Sequence, residues 1–231
     1  MRRWWFWRVR HKLYRRIALH AGRVHGRGPL LVAMGDSHTD PTITYTLPWQ
    51  VWLRRVSREG YRTVNLGVSG ETTADMRRRV EEFVAEGPPY IAVIFGGGND
   101  ARRSVDPSET ERNVTFMVEW LRAQAVSKIA LIGPGILNSK QDPDWLASAD
   151  AVRRVFSDVA ARHDAVFVDL AKFLRDRIAR GEDPDYSHVP YRQSRSWHVY
   201  ADDPHFNAYG QRLIAEAFLA GTADWRAPGH R

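Results

Sequence analysis

Apolar residues along the chain gather in short runs at Leu30–Met34, Thr63–Leu66, Ile91–Phe95, Ile129–Ile132 and Ala165–Val168. Each run favours strand and is too short for a buried helix, so each predicts a strand apolar on both faces. Between them apolar residues recur every three or four positions. That spacing predicts helices over about Trp49–Glu59, Thr73–Glu86, Ser108–Ala125, Ala149–His163, Ala171–Arg180 and Asn207–Ala220. Alternating strands and helices imply a doubly wound α/β sheet with right-handed crossovers. Pro184 to Pro204 lacks clear periodicity. It reads as a long irregular loop, either a substrate wall or a cover for the sheet end.

The chain has 231 residues, 43% of them hydrophobic, enough for one sizeable core and a single main domain. It has no cysteine. That excludes disulfides, thiolate metal sites and a cysteine nucleophile, and it fits a reducing compartment. The net charge of +7 is unevenly spread. Residues 1–28 hold nine Lys and Arg and no acidic residue, so the remainder carries −2. The basic character therefore belongs to an N-terminal arm, and a nucleic-acid partner is not expected.

The arm opens MRRWWFWRVRHKLYRR. Its apolar stretch is broken by Arg8 and Arg10, unlike a secretory signal, and nothing approaches a membrane-spanning length. Trp5, Val9, Leu13 and Ile17 recur at a spacing of four. On a helix they would form one apolar side among arginines. Two readings stand: residues 1–20 lie against anionic lipid, or the aromatics pack on the body or a second subunit. The expected location is cytoplasmic, peripheral to the membrane under the first reading.

Three polar words supply candidate chemistry: Gly35-Asp36-Ser37, Gly97-Gly98-Asn99-Asp100 and Asp202-Asp203-Pro204-His205. The first two, and the stretch from Gly67 to Glu71, follow predicted strands. Open α/β sheets build their binding crevice at such strand ends. Ser37 is the candidate nucleophile, and a serine hydroxyl needs an adjacent base. His205 is the candidate base. Asp202, three residues earlier, suits the far imidazole nitrogen in a compact turn, with Asp203 as its rival. His188, with Asp185 three residues ahead, rivals His205; His198 lacks such an acid. His38 adjoins Ser37 and reads as an exposed neighbour, because consecutive side chains diverge. The Asn99 amide and the N–H groups of Gly70 and Ser37 are candidate donors to an oxyanion. Taken singly, Asn99 could cap a loop and Gly70 could serve a left-handed turn. Arg102 and Arg103 read as solvated helix-start residues, or as charges that draw an anionic substrate to the crevice.

The ordered blocks Gly35–Ser37, Asn-Leu-Gly-Val-Ser-Gly-Glu-Thr-Thr at 65–73, Gly97–Asp100 and Asp202-x-x-His205 resemble the SGNH hydrolases, or GDSL esterases/lipases, over about residues 30–220. The resemblance implies a three-layer α/β/α, flavodoxin-like fold with a five-stranded parallel sheet. That domain would span 29–224, between the arm at 1–28 and a tail at 225–231. It implies a catalytic triad of Ser37, His205 and Asp202, an oxyanion hole of Ser37, Gly70 and Asn99, and neither metal nor organic cofactor. The implied reaction is hydrolysis of a small-molecule or lipid O-acyl ester through an acyl-enzyme, acetyl esters included. Two positions depart from the family pattern: His38 after Ser37, and Pro204 before His205.

Two alternatives keep the same site: an acyltransferase, and a lysophospholipase or thioesterase working at a membrane surface. A non-catalytic lipid or nucleic-acid binder would account for the arm and leave the ordered blocks unexplained. No Gly-x-Ser-x-Gly elbow, phosphate-cradling loop or His-Glu-x-x-His occurs.

Overall fold

Five parallel strands form one sheet in the order β2-β1-β3-β4-β5. They are β1 Leu30–Gly35, β2 Arg62–Gly67, β3 Ile91–Phe95, β4 Lys128–Ile132 and β5 Val166–Val168. The computed structural model describes residues 28–40, 47–57, 60–84, 87–135, 143–184 and 205–225. Residues 1–27, 185–204 and 226–231 lie outside these, as do the expectations placed on them.

The central strands β1 and β3 are buried throughout, and β4 from Ile129 on. β2 and β5 sit at the edges and are only partly buried. The expected coverage on both faces therefore holds for the centre and fails at the rims, where each strand has one neighbour.

The helices are α1 Trp49–Val56, α2 Thr73–Arg78, α3 Gly98–Arg102, α4 Pro107–Ala123, α5 Pro143–Arg162, α6 Leu170–Ala179 and α7 Ala208–Gly221. Successive residues of a strand point to opposite faces, so β1 feeds two cores. Leu30, Val32 and Met34 pack with Met76, Val114, Met117 and Phe156 beneath α2, α4 and α5. Leu31 and Ala33 pack with Trp49, Leu53, Leu174 and Phe218 beneath α1, α6 and α7. The result is the expected three-layer α/β/α arrangement. The chain reverses its direction of travel across the sheet between β1 and β3, the point at which such sheets open a crevice.

Boundaries differ from the periodicity where polar contacts intervene. The helix expected over Thr73–Glu86 stops at Arg78, and Val80–Val84 is a 3-10 turn. Arg79 leaves the helix, with φ −109, and its guanidinium donates to Leu66 O at 2.9 Å and to Glu71. Val80 and Phe83 are then buried at the three-residue repeat of a 3-10 turn. At its other end α2 is fixed by a capping box between Thr72 and Asp75. α4 starts with Pro107 behind Asp106, whose carboxylate accepts from Ser108 N at 2.7 Å. α5 likewise starts at a proline, Pro143, well before the expected Ala149. Among the described residues no helix is long and apolar enough to cross a membrane.

Gly35 closes β1 in a tight space. A Cβ there would stand 2.5 Å from the Phe95 carbonyl oxygen and would also strike Thr39 Oγ1. One obstacle is backbone of the neighbouring strand, so relief requires the sheet end to move. Gly35→Ala is expected to cost about 1–3 kcal/mol, as overpacking does, read as a lower urea midpoint; an unchanged midpoint would contradict this close approach.

Candidate active site

The chain leaves β1 through a sharp turn over Asp36 to Thr39. Thr39 N and Asp40 N both donate to Asp36 O, at 3.0 and 2.9 Å. Asp36, Ser37, His38 and Thr39 are all buried, so their backbone groups need partners. Asp36 N donates to Phe95 O at 3.4 Å, and His38 N donates to Asp36 Oδ1 at 3.0 Å. Thr39 O accepts from Asn65 Nδ2 at 2.7 Å. His38 O accepts from Gln211 Nε2 at 3.2 Å, while Gln211 Oε1 accepts from Trp49 N at 2.8 Å. Gln211 thereby ties α7, the turn and the start of α1 together. Among the described residues, Ser37 holds the one backbone N–H from 36 to 40 without an acceptor. The Ser37 hydroxyl makes no hydrogen bond to them either.

His38 is buried, contrary to the exposed position expected for it. The turn folds its ring inward, where it stacks on Phe95 at 5.7 Å and meets Phe206 at 5.2 Å. Among the described residues its third ring neighbour is His205, at 5.9 Å between centroids. This contact brings the imidazole at 205 to the turn that carries Ser37. Burial, and then the nearby His205, push the His38 pKa down to about 3, so its ring stays neutral. Its Nδ1 has no partner among the described residues. No hydrogen bond joins Ser37 Oγ to His205. Asp202, Asp203, Asp185, His188 and His198 lie outside the described residues.

The other side of the crevice is built by α3, a five-residue helix that no apolar period announced. Asn99 Nδ2 donates to Glu71 O at 2.9 Å, which occupies one of its two amide protons. The Asp100 carboxylate is fully buried and accepts from Thr73 N at 3.0 Å and Thr73 Oγ1 at 2.5 Å. These bonds join α3 to the segment leading into α2. On its opposite flank α3 meets the nucleophile turn: a Cβ at Gly98 would stand 3.7 Å from Asp36 Oδ2. Gly70 adopts φ +84, a conformation that favours glycine. Its N–H donates to no acceptor among the described residues. The turn at Ser37, the segment at Gly70 and the helix bearing Asn99 thus meet at the sheet end. Asn65 and Gln211, which hold the turn in place, were not among the expected site residues. Their signal was a polar residue in a strand and another on the buried face of a helix.

Electrostatics follow from burial. Asp36 is pushed up to about 7, chiefly by loss of water; the charge of Asp100 adds to this, and the bond from His38 N opposes it. Asp100 is also raised by burial, against the bonds from Thr73. Among the described residues no group of three His, Asp or Glu side chains could hold a metal ion.

The raised Asp36 makes a pH prediction. Between the ordinary carboxylate pKa and about 7 the folded chain keeps this proton and the unfolded chain has lost it. Stability is therefore lost as pH rises through that window. Asp36→Asn, which can still accept from His38 N, is expected to gain stability over the parent at pH 8 and little at pH 4. Urea midpoints at the two values check this; an equal shift at both would contradict it.

A match to the GDSL-like Lipase/Acylhydrolase family covers residues 33–213. Esterase TesA of Pseudomonas aeruginosa is 33% identical over 117 residues, half of this chain and 56% of that protein. An acetylxylan esterase of Geobacillus stearothermophilus is 26% identical over 171 residues, 69% of this chain and 71% of that protein. The crystal structure of LAE5, an alpha/beta hydrolase enzyme from the metagenome of Lake Arreo, Spain, superposes with a TM-score of 0.67 at 23% identity. That superposition covers 89% of this chain and all of LAE5, and it supports the fold. With the three-layer fold and the crevice at its strand ends, the matched span leads to one conclusion: the chain belongs to the GDSL-like lipase/acylhydrolase family, the serine ester hydrolases its ordered motifs resembled.

Proposed function

We propose that this chain cleaves a carboxylic O-acyl ester through a covalent acyl intermediate on Ser37. The observation that carries the reading is the buried turn after β1, where the N–H and hydroxyl of Ser37 have no partner among the described residues and the imidazole of His205 lies against the same turn. An N–H kept without a partner in a buried turn costs stability, and an incoming oxyanion would supply the missing acceptor.

The steps balance without a cofactor. Ser37 Oγ adds to the ester carbonyl carbon while His205 takes the hydroxyl proton. The carbonyl oxygen becomes an oxyanion that accepts from Ser37 N–H, Gly70 N–H and the second amide proton of Asn99. Collapse breaks the bond to the alkoxide, which leaves as alcohol with the proton from His205. Water then attacks the acyl-serine by the same route, giving the free acid and restoring Ser37. Asp202 is assigned the role of orienting His205 and stabilising its imidazolium. The Geobacillus acetylxylan esterase offers a parallel: its catalytic mutants include a serine, a histidine and an aspartate three residues before that histidine.

Small acyl esters, acetyl among them, are the favoured substrates. The basic aromatic arm supports a second reading, in which residues 1–20 hold a cytoplasmic enzyme against anionic lipid and the substrate is a lysophospholipid or thioester. Transfer of the acyl group to an alcohol would use the same first half-reaction. Nitrophenyl esters of graded chain length, assayed with and without anionic vesicles and an alcohol acceptor, separate these readings. Ser37→Ala and His205→Ala are each expected to lose nearly all turnover, and retained turnover in either removes that residue from the mechanism. Asn99→Ala is expected to lose about 10²–10³ in kcat, the effect of removing one oxyanion donor; a wild-type rate would remove the amide from that role.

A further inference from the structure

Arg103 follows Asn99 by four residues and lies directly after α3. Its N–H donates to Asn99 O at 3.0 Å, so the two side chains project one helical turn apart. Both reach the same strip of chain. Asn99 Nδ2 holds Glu71 O at 2.9 Å, and Arg103 Nη2 holds Gly70 O at 2.8 Å. From the opposite side, Asp40 Oδ2 accepts from Ser69 N at 3.0 Å. Within the strip Glu71 N donates to Val68 O at 3.3 Å and Val68 N to Gly35 O at 2.9 Å, while Val68 and Ser69 are exposed, Val68 by 42%. Residue 70 also holds φ +84, a conformation with little steric guidance in glycine. A segment so exposed and so permissive needs outside contacts to keep one peptide orientation.

We infer that Arg103 is a positioning residue for the oxyanion hole: by gripping the Gly70 carbonyl it fixes the peptide plane between Gly70 and Glu71, and with Asp40 fixing the plane between Val68 and Ser69 it limits rotation of the plane between them, which carries the Gly70 N–H. The inference rests on the ester-hydrolase reading above. The sequence reads Arg103 as a solvated residue or a charge facing the crevice; it is exposed, and the bond to Gly70 O adds this further role. Arg103 itself touches no reacting atom. Its charge is suited to the task, because a charged donor makes a stronger and more directional bond to a carbonyl than a neutral one. The aim of a preset donor matters most when negative charge develops, so the benefit falls on the transition state and not on substrate binding.

The test compares the full chain with Arg103→Ala and Arg103→Lys on one nitrophenyl ester. Arg103→Ala is expected to lower kcat about tenfold, the scale of a modest charge-assisted bond, with KM changed less than twofold. Affinity for a boronic acid that forms a tetrahedral adduct on serine should fall by the same factor. Arg103→Lys, which keeps one charged donor, should recover part of both losses. Thermal midpoints of all three proteins should agree closely, since the residue is exposed. Unchanged kcat in Arg103→Ala would overturn the inference. So would a loss confined to KM, which would make Arg103 a substrate contact, or a loss matched by a lower thermal midpoint. If the parent protein hydrolyses no ester, the ester-hydrolase reading fails instead. Activity in the parent with no loss in the variant defeats only the role of Arg103.

Discussion

A sharp polar turn cannot be buried at the end of a sheet unless its backbone groups are met, and the site depends on how that demand is satisfied. Residues 36 to 40 use Asp36 O twice, the Asp36 carboxylate once and Phe95 O once to absorb their N–H groups. Carbonyls at 38 and 39 are taken by Gln211 and Asn65. The N–H of Ser37 is the exception among the described residues. Under the proposed function this N–H is a donor that the oxyanion would meet. The turn's contacts draw in the rest of the fold, since Gln211 sits on α7, close behind His205, and Asn65 on β2.

The two helical layers contribute different parts. The layer of α1, α6 and α7 supplies Phe206, which with Phe95 forms the apolar wall around His38. His38 then stands between that wall and His205. Burial holds the His38 ring neutral. The layer of α2, α4 and α5 surrounds the Asp100 network, which anchors Asn99 against the entry to α2. The turn carrying Ser37 and the helix carrying Asn99 are thus braced by contacts from different layers and meet at the carboxyl ends of β1 and β3.

Much of this was legible in the sequence where the physics is local. Central strands such as Ile91–Phe95 read correctly because covering both faces demands unbroken apolar side chains. Ser37 and Asn99 stand out because each follows such a strand, and Gly70 because it follows the edge strand β2. Helix ends read less well, because they are set by contacts the period does not encode: Arg79 turning back to Leu66 ended α2 early. α3 is too short to show a period. His38 was expected outside because adjacency to Ser37 says which way a side chain starts and not what waits to receive it. Gln211 and Asn65 act on residues far away in sequence, so their importance appears only when the turn's hydrogen bonds are counted.

The central claim is that Ser37 is the atom-bearing nucleophile of this crevice. The most direct measurement is intact-protein and peptide mass spectrometry after exposure to a fluorophosphonate, whose phosphorus is attacked by an activated serine with loss of fluoride, leaving a stable phosphonyl ester. The account predicts one adduct per chain, located on Ser37, with labelling slowed strongly in His205→Ala. An adduct on another residue, or none on a protein that turns over esters, would contradict it.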